Sequence, residues 1–185
     1  MADRKSWPAR ICVVTSYSAA QEPRAPKHAM AALAAFPDAE VVFLDMVAGG
    51  TDGASRPGGL PPRARLKQMT LDVPTRQHAP LRWALRKLLT VASGWFFSVS
   101  GRPTAAVLGP RAVGLTRILE RIRADVYVAH NIDTLLPAYH AARSNQAHLV
   151  FDCMEFYSDM GDSQSQIECR ATRKIAAEVL PKCDL

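Results

Sequence analysis

Two short runs in this chain end in side chains able to bind hydroxyls and to move protons. Asp125-Val-Tyr-Val-Ala-His130-Asn131-Ile-Asp133 and His148-Leu-Val-Phe-Asp152-Cys-Met-Glu155 each join an apolar, β-branched stretch to a polar tip. An imidazole at such a tip donates or accepts a hydrogen bond, or transfers a proton near neutral pH. The carboxylates of Asp133 and Asp152 and the amide of Asn131 add the acceptors and the donor that vicinal hydroxyls require. Residues 134–145 between the runs have the length of one helix, so the pattern is that of two parallel strands joined by a helix. Ligands of open parallel sheets sit outside the carboxyl ends of the strands. His130, Asn131, Asp133, Asp152 and Glu155 are therefore expected on one rim, as a binding site. Each also has a plainer role. His130 can pack inside or cap the next helix, Asp133 can N-cap it, and Glu155 can be a solvated loop carboxylate. That two neighbouring strands end alike favours binding. Cys153 beside His130 raises a cysteine nucleophile, which needs a lowered pKa and an oriented base. No nucleophile elbow surrounds it, and a buried strand-end cysteine is the expectation.

The elements that must position this rim follow from hydrophobic pattern and punctuation. Residues 10–15 read as a buried strand, and Ser16 to Pro26 as a polar connection without a glycine-rich fingerprint. Residues 27–36 are alanine-rich and helical, with Pro26 suited to the first turn. Residues 40–45 give a second strand, and 66–73 a weakly signalled third. Glycine and proline mark 49–62 as a loop. Residues 81–99 read as a helix with Leu81, Leu85, Leu88, Ala92, Phe96 and Val99 on one side and Arg82, Arg86, Thr90 and Ser93 on the other. A helix over 111–123 leads into the Asp125 strand. Ser165 and Glu168 have capping-box spacing for a last helix. Lys182-Cys-Asp-Leu185 echoes Arg123-Ala-Asp-Val126, where helix gives way to strand, so a fragment of a longer protein is expected. The whole is expected to be one α/β domain, a doubly wound, Rossmann-like parallel sheet over 1–185 with a basic insertion at 48–104.

With 185 residues, 48% hydrophobic and 22% charged, the chain suits one globular domain. No uninterrupted apolar stretch is long enough to span a bilayer, and the N-terminus has no secretory h-region. Cysteines 12, 153, 169 and 183 show no zinc spacing, which points to reduced thiols, a cytoplasmic setting and no metal. Charge is uneven. Nine cations (56, 63, 65, 67, 76, 82, 86, 87 and 102) face one acid, Asp72, between Arg56 and Arg102, a net +8 against −2 elsewhere. Arg82, Trp83, Arg86, Lys87 and Trp95 have the types of an interfacial helix at the inner face of a membrane. The plainer alternative packs the apolar side on the sheet and leaves the arginines solvated. Nucleic acid is not expected, because the aromatics follow a helix's apolar side instead of interleaving with cations.

At the rim residues the chain resembles glycosyltransferase family 4, the retaining enzymes of the GT-B fold, in their N-terminal, acceptor-side domain. The resemblance rests on Asp125-Val-Tyr-Val-Ala-His130-Asn-Ile-Asp133-Thr-Leu with its alanine-rich sequel, and on Asp152-Cys-Met-Glu155-Phe-Tyr-Ser-Asp159. Asn131 replaces the usual acid and Met154 a common histidine. Residues 23–33 resemble the family's first helix; the basic middle has no counterpart. The resemblance implies transfer of a sugar from a nucleotide-sugar donor to a glycan or lipid-linked acceptor. No other cofactor is implied, and the donor is held mainly by a second domain that this chain lacks. His130 would contact the acceptor or the transferring sugar, and Asp152, Glu155 and the Ser16 to Arg24 loop would line the cleft. The competing expectation is a non-catalytic α/β module that assembles with a separate catalytic chain.

Overall fold

A computed structural model describes residues 8–49, 60, 63–153 and 165–184. Five strands form one all-parallel sheet, β1 (Arg10–Thr15), β2 (Glu40–Ala48), β3 (Leu66–Val73), β4 (Val126–His130) and β5 (His148–Asp152), in the order β3-β2-β1-β4-β5. The sheet is parallel because each connection carries a helix or a long segment back to the starting edge. Among the described residues five α-helices accompany it: α1 (Arg24–Ala35), α2 (Pro80–Ser100), α3 (Leu115–Ile122), α4 (Ile132–Asn145) and α5 (Gln166–Val179). The weakly signalled third strand is real, and it pairs with β2 from Val41↔Leu66 to Ala48↔Val73.

Alternation along the central strands sorts the core into two layers. Ile11, Val13, Val41 and Phe43 face α1, where Ala25 and Ala29 let the helix approach closely. Cys12, Val14, Val42, Leu44, Tyr127 and Ala129 face the other way, onto α3, α4 and α5 through Leu119, Leu135, Ala138 and Ile175. Strands buried on both faces read as continuous apolar runs, which is why β1 and β2 stood out in the sequence. Burial pushes the Cys12 thiol up to about 12, so it behaves as a small apolar side chain.

Two aspartates bond to strand edges in the same way. Asp125 Oδ2 accepts from the amides of Ala9 and Arg10 at 2.8 Å, and its own amide donates to Arg10 O. Asp184 Oδ2 accepts from the Leu149 amide at 2.8 Å, and its amide donates to Leu149 O. Asp184 thus meets the edge of β5 through the same pair of contacts that Asp125 makes with β1. Ser165 and Glu168 close the expected capping box on α5, with Glu168 N to Ser165 Oγ at 3.3 Å and Ser165 N to Glu168 Oε2 at 2.8 Å.

Helix α2 reverses the plainer expectation. Its apolar side faces outward: Leu81, Leu88, Trp95 and Val99 are 85%, 63%, 71% and 71% exposed. The inner side carries Gly94 and Phe97, with Arg86, Thr90 and Ser93 half-buried beside them. Arg86 Nη1 donates to Pro110 O at 2.9 Å, and burial lowers its pKa. The side expected to be solvated therefore holds the helix to the protein. A backbone carbonyl satisfies the guanidinium better than leucines could, and Gly94 meets Ile167 of α5 with no side chain between them.

Candidate functional site: the crevice at the ends of β1, β4 and β5

The strand order reverses between β1 and β4, the switch point where ligands of such sheets bind. Register brings Thr15 level with His130, and His130 level with Asp152, so three strands deliver polar tips to one edge. Thr15 Oγ1 donates to Asn131 Oδ1 at 3.1 Å and stitches β1 to the turn after β4. Asn131 holds φ 71°, ψ 146°, a backbone state that costs a non-glycine residue about 1–3 kcal/mol. The Thr134 hydroxyl, 2.6 Å from His130 O and 2.9 Å from Asn131 O, helps secure that turn. Pro137 inside α4 has no amide to offer the Asp133 carbonyl, which loosens the first turn's own bonding.

On one side of the Thr15–Asn131 stitch lies a cluster of two imidazoles, a carboxylate and a guanidinium. His130 is fully buried. Its Nε2 is 3.1 Å from His28 Nδ1, and its Nδ1 is 3.1 Å from Asp152 Oδ2. Arg24 Nη2 donates to Asp152 Oδ1 at 2.5 Å. Burial lowers the His130 pKa to about 4; Asp152 pulls it upward, and His28 and Arg24 push it down. The ring is neutral at pH 7. His28 and Arg24 sit one turn apart on α1, and both side chains are nearly half exposed.

On the other side, Asp133 lies in the first turn of α4, and burial raises its carboxyl to about 6. The Ser16 hydroxyl, Arg111 and nearby amides pull it back only partly. Ser16 Oγ is itself buried and has no well-aligned hydrogen bond among the described residues. Arg111 lies over the Tyr17 ring at 4.5 Å, a cation–π contact. Asp45 Oδ2 accepts from Ala19 N and Gln68 Nε2, both at 3.3 Å, and so ties the loop after β1 to β2 and β3.

The structure brings together His130, Asn131, Asp133, Asp152, Ser16 and Arg24, as expected, but changes two roles. His130 and Asn131 are 0% and 8% exposed, too deep to touch a substrate. Strand β4 is flanked by β1 and β5, and α1 covers its end, so both residues position others. Asp133 does not N-cap α4; Asn131 occupies that place without a side-chain cap bond. Glu155 and Met154 lie outside the described residues. Asp152 and His28 already face both His130 ring nitrogens, which overturns a Cys153–His130 pair, and Cys153 is exposed where a buried cysteine was expected. Sequence reading missed His28, Arg111 and Tyr17. Only the i, i+4 spacing of Arg24 and His28 hinted that α1 turns a polar face to the rim.

Surface hollows lined by Arg143, Lys182 and Asp184, and by Asp38, Glu40 and Arg65, lie at the amino ends of the strands, away from this crevice. None of the four cysteines forms a disulfide. No described helix is long and apolar enough to cross a membrane. The fold is a Rossmann-like α/β domain with a carboxyl of raised pKa at its switch point. No family model, no curated protein and no solved structure matches the chain.

Proposed function

We propose that the chain is the acceptor-binding half of a retaining glycosyltransferase, moving a sugar from a nucleotide-sugar donor to a glycan or lipid-linked acceptor. The observation that carries this reading is Asp133, a carboxyl raised to about 6 in the switch-point crevice beside Ser16 and Arg111. Such a group accepts a hydrogen bond from an acceptor hydroxyl and exchanges its proton near neutral pH. The order of motifs from Asp125 through Arg143 supports the same assignment. His130 serves beneath the surface, holding the ends of β4 and β5 in place.

Helix α2 supplies the second part of the reading, docking on an anionic lipid surface. Eight of the eleven large apolar side chains exposed among the described residues belong to it. Arg82 and Lys87, both exposed, flank the stripe. A helix of 21 residues, about 30 Å long, laid flat brings basic margins to phosphate headgroups and apolar residues to the acyl boundary. Arg86 and Trp83, turned partly inward, contribute less than their types suggest. An acceptor on a lipid carrier would then enter the crevice from the membrane side.

The test is a binding screen of acceptor-like glycans and glycolipids against wild type, Asp133→Ala and His130→Ala. Binding that Asp133→Ala abolishes is expected; equal binding by that variant, or none by wild type, refutes the reading. Residues 1–185 alone are expected to show no turnover, because the half that holds the donor is needed to bring both reactants into attack geometry. Sustained sugar transfer by the purified chain would overturn that expectation.

A further inference from the structure

We propose that Asp152, His130 and His28 form a directed hydrogen-bond relay that presents the Nε2 lone pair of His28 at the rim, as a second position for a ligand hydroxyl. The ligand class rests on the sugar-binding reading of the crevice; the relay itself does not. His28 rides on α1, over one face of the sheet, and Asp133 on α4, over the other. His130 Nδ1 lies 3.1 Å from Asp152 Oδ2, and His130 Nε2 lies 3.1 Å from His28 Nδ1. One imidazole thus joins two neighbours through its opposite nitrogens. The planes of the two rings are tilted by 42°, so they do not stack in parallel and the contact is between nitrogens.

The direction of the relay follows from the one member that cannot donate. Arg24 holds Asp152 Oδ1 at 2.5 Å, and a carboxylate paired with a guanidinium only accepts. Its Oδ2 therefore accepts from His130 Nδ1–H. His130 is buried and neutral, so it has one ring proton, and its Nε2 is left bare. Two bare nitrogens cannot face each other at 3.1 Å, so His28 Nδ1 carries a proton and donates it. In neutral His28 the other nitrogen, Nε2, is then a bare acceptor. The bond made by one ring nitrogen sets the state of the other.

That nitrogen is within reach of a ligand. The His28 side chain is 45% exposed, and among the described residues no hydrogen bond occupies its Nε2. Arg24 lies one turn earlier on α1 and is 43% exposed, with guanidinium N–H groups beyond the one spent on Asp152. An acceptor and donors one helical turn apart suit neighbouring hydroxyls, each of which both donates and accepts. The relay also gives the buried imidazole a part in binding. His130 is too deep to touch a ligand itself, and it acts as a positioning residue through His28.

The experiment is nitrogen-15 NMR of the histidine-labelled 185-residue chain, whose ring shifts report which nitrogen holds the proton. It is run at about pH 8, where ordinary imidazoles are neutral. Wild type is expected to show His28 and His130 both protonated at Nδ1, with His28→Ala assigning the His28 signals. Asp152→Asn should invert both rings. Arg24 claims the amide oxygen, the amide N–H then faces His130 Nδ1, and the proton moves to Nε2 on each ring. Reach is measured with diethyl pyrocarbonate, whose carbonyl carbon a bare imidazole nitrogen attacks as ethyl carbonate leaves. His28 is expected to be acylated in wild type, and at least about tenfold more slowly in Asp152→Asn, since a bond to a charged acceptor holds the tautomer. A glycan retained by wild type should bind His28→Ala at least about tenfold more weakly for loss of that acceptor. His28 protonated at Nε2 in wild type, tautomers unmoved by Asp152→Asn, an inert His28, or unchanged glycan affinity overturns the proposal. The NMR and acylation use no glycan, so the relay and the sugar reading fail separately.

Discussion

The rim and helix α2 invert the ordinary rule of polar outside and apolar inside, in opposite senses. At the rim, Ser16, Glu22, Asp45, His130 and Asn131 are buried; on α2, Leu81, Leu85, Leu88, Val91, Trp95 and Val99 are open. A buried polar group or a large exposed apolar patch is the informative exception in a globular protein. The rim's exceptions are mostly answered within the chain, Thr15 by Asn131, Asp45 by Ala19 and Gln68, Asp152 by Arg24. The helix's exceptions are left exposed among the described residues. One region holds its own geometry, and the other is left open to solvent.

That contrast breaks most readily at α2. Leu88→Glu combined with Trp95→Glu is expected to weaken binding to anionic vesicles, read by sedimentation, by about 2–3 kcal/mol, roughly 30- to 160-fold, since each large apolar side chain contributes on the order of 1.5 kcal/mol. Folding stability should hardly change, because neither side chain packs on the protein. Loss of stability without loss of vesicle binding would mean that the stripe is internal after all. At the rim the expected pattern is the reverse. Asp152→Ala, measured by urea unfolding, should cost about 2 kcal/mol by stranding His130 and Arg24. Vesicle binding should be untouched. A smaller third effect sharpens the charge argument: Arg82→Ala or Lys87→Ala should each weaken binding to anionic vesicles by about 1 kcal/mol and leave neutral vesicles unaffected. Equal binding of wild type to both kinds of vesicle would remove the electrostatic part.

The same contrast explains what could be read from the sequence. The sheet was legible because β1, β2 and β4 are buried on both faces, and period and composition report burial directly. The rim was legible as a set of residues, because polar tips on successive parallel strands must share an edge. Their depth was not. Nothing in Ala129-His130-Asn131 reveals that α1 arrives over it with His28, since that contact joins residues 102 positions apart. Arg111 over Tyr17 is equally non-local. The orientation of α2 defeated pattern reading for a physical reason. Amphipathicity separates two faces of a helix but does not say which one meets the protein, and here a glycine, a phenylalanine and a guanidinium with a carbonyl partner outweigh six apolar side chains.

Asp133 gives the finest test, because its effect on stability has the opposite sign from that of Asp152. Its folded pKa, about 6, lies above the usual value of 3.8. A carboxyl raised in this way stabilises the fold fully below pH 3.8, and that contribution is lost as pH rises through 6, where the folded state must ionise a group held away from water. At pH 7 the carboxylate is a net cost. Asp133→Asn, similar in shape and uncharged, is therefore expected to be more stable than wild type at pH 7 by on the order of 1 kcal/mol. The difference should shrink steadily from pH 6 to pH 3.8 in paired urea titrations. If the Asn variant is less stable at pH 7, Arg111 and Ser16 hold the charged form more firmly than burial opposes it. Asp133 would then be a structural anchor, and no group in the crevice would be poised to take a hydroxyl proton. The expected outcome, stability gained together with acceptor binding lost, is the mark of a carboxyl retained for its chemistry at the expense of the fold.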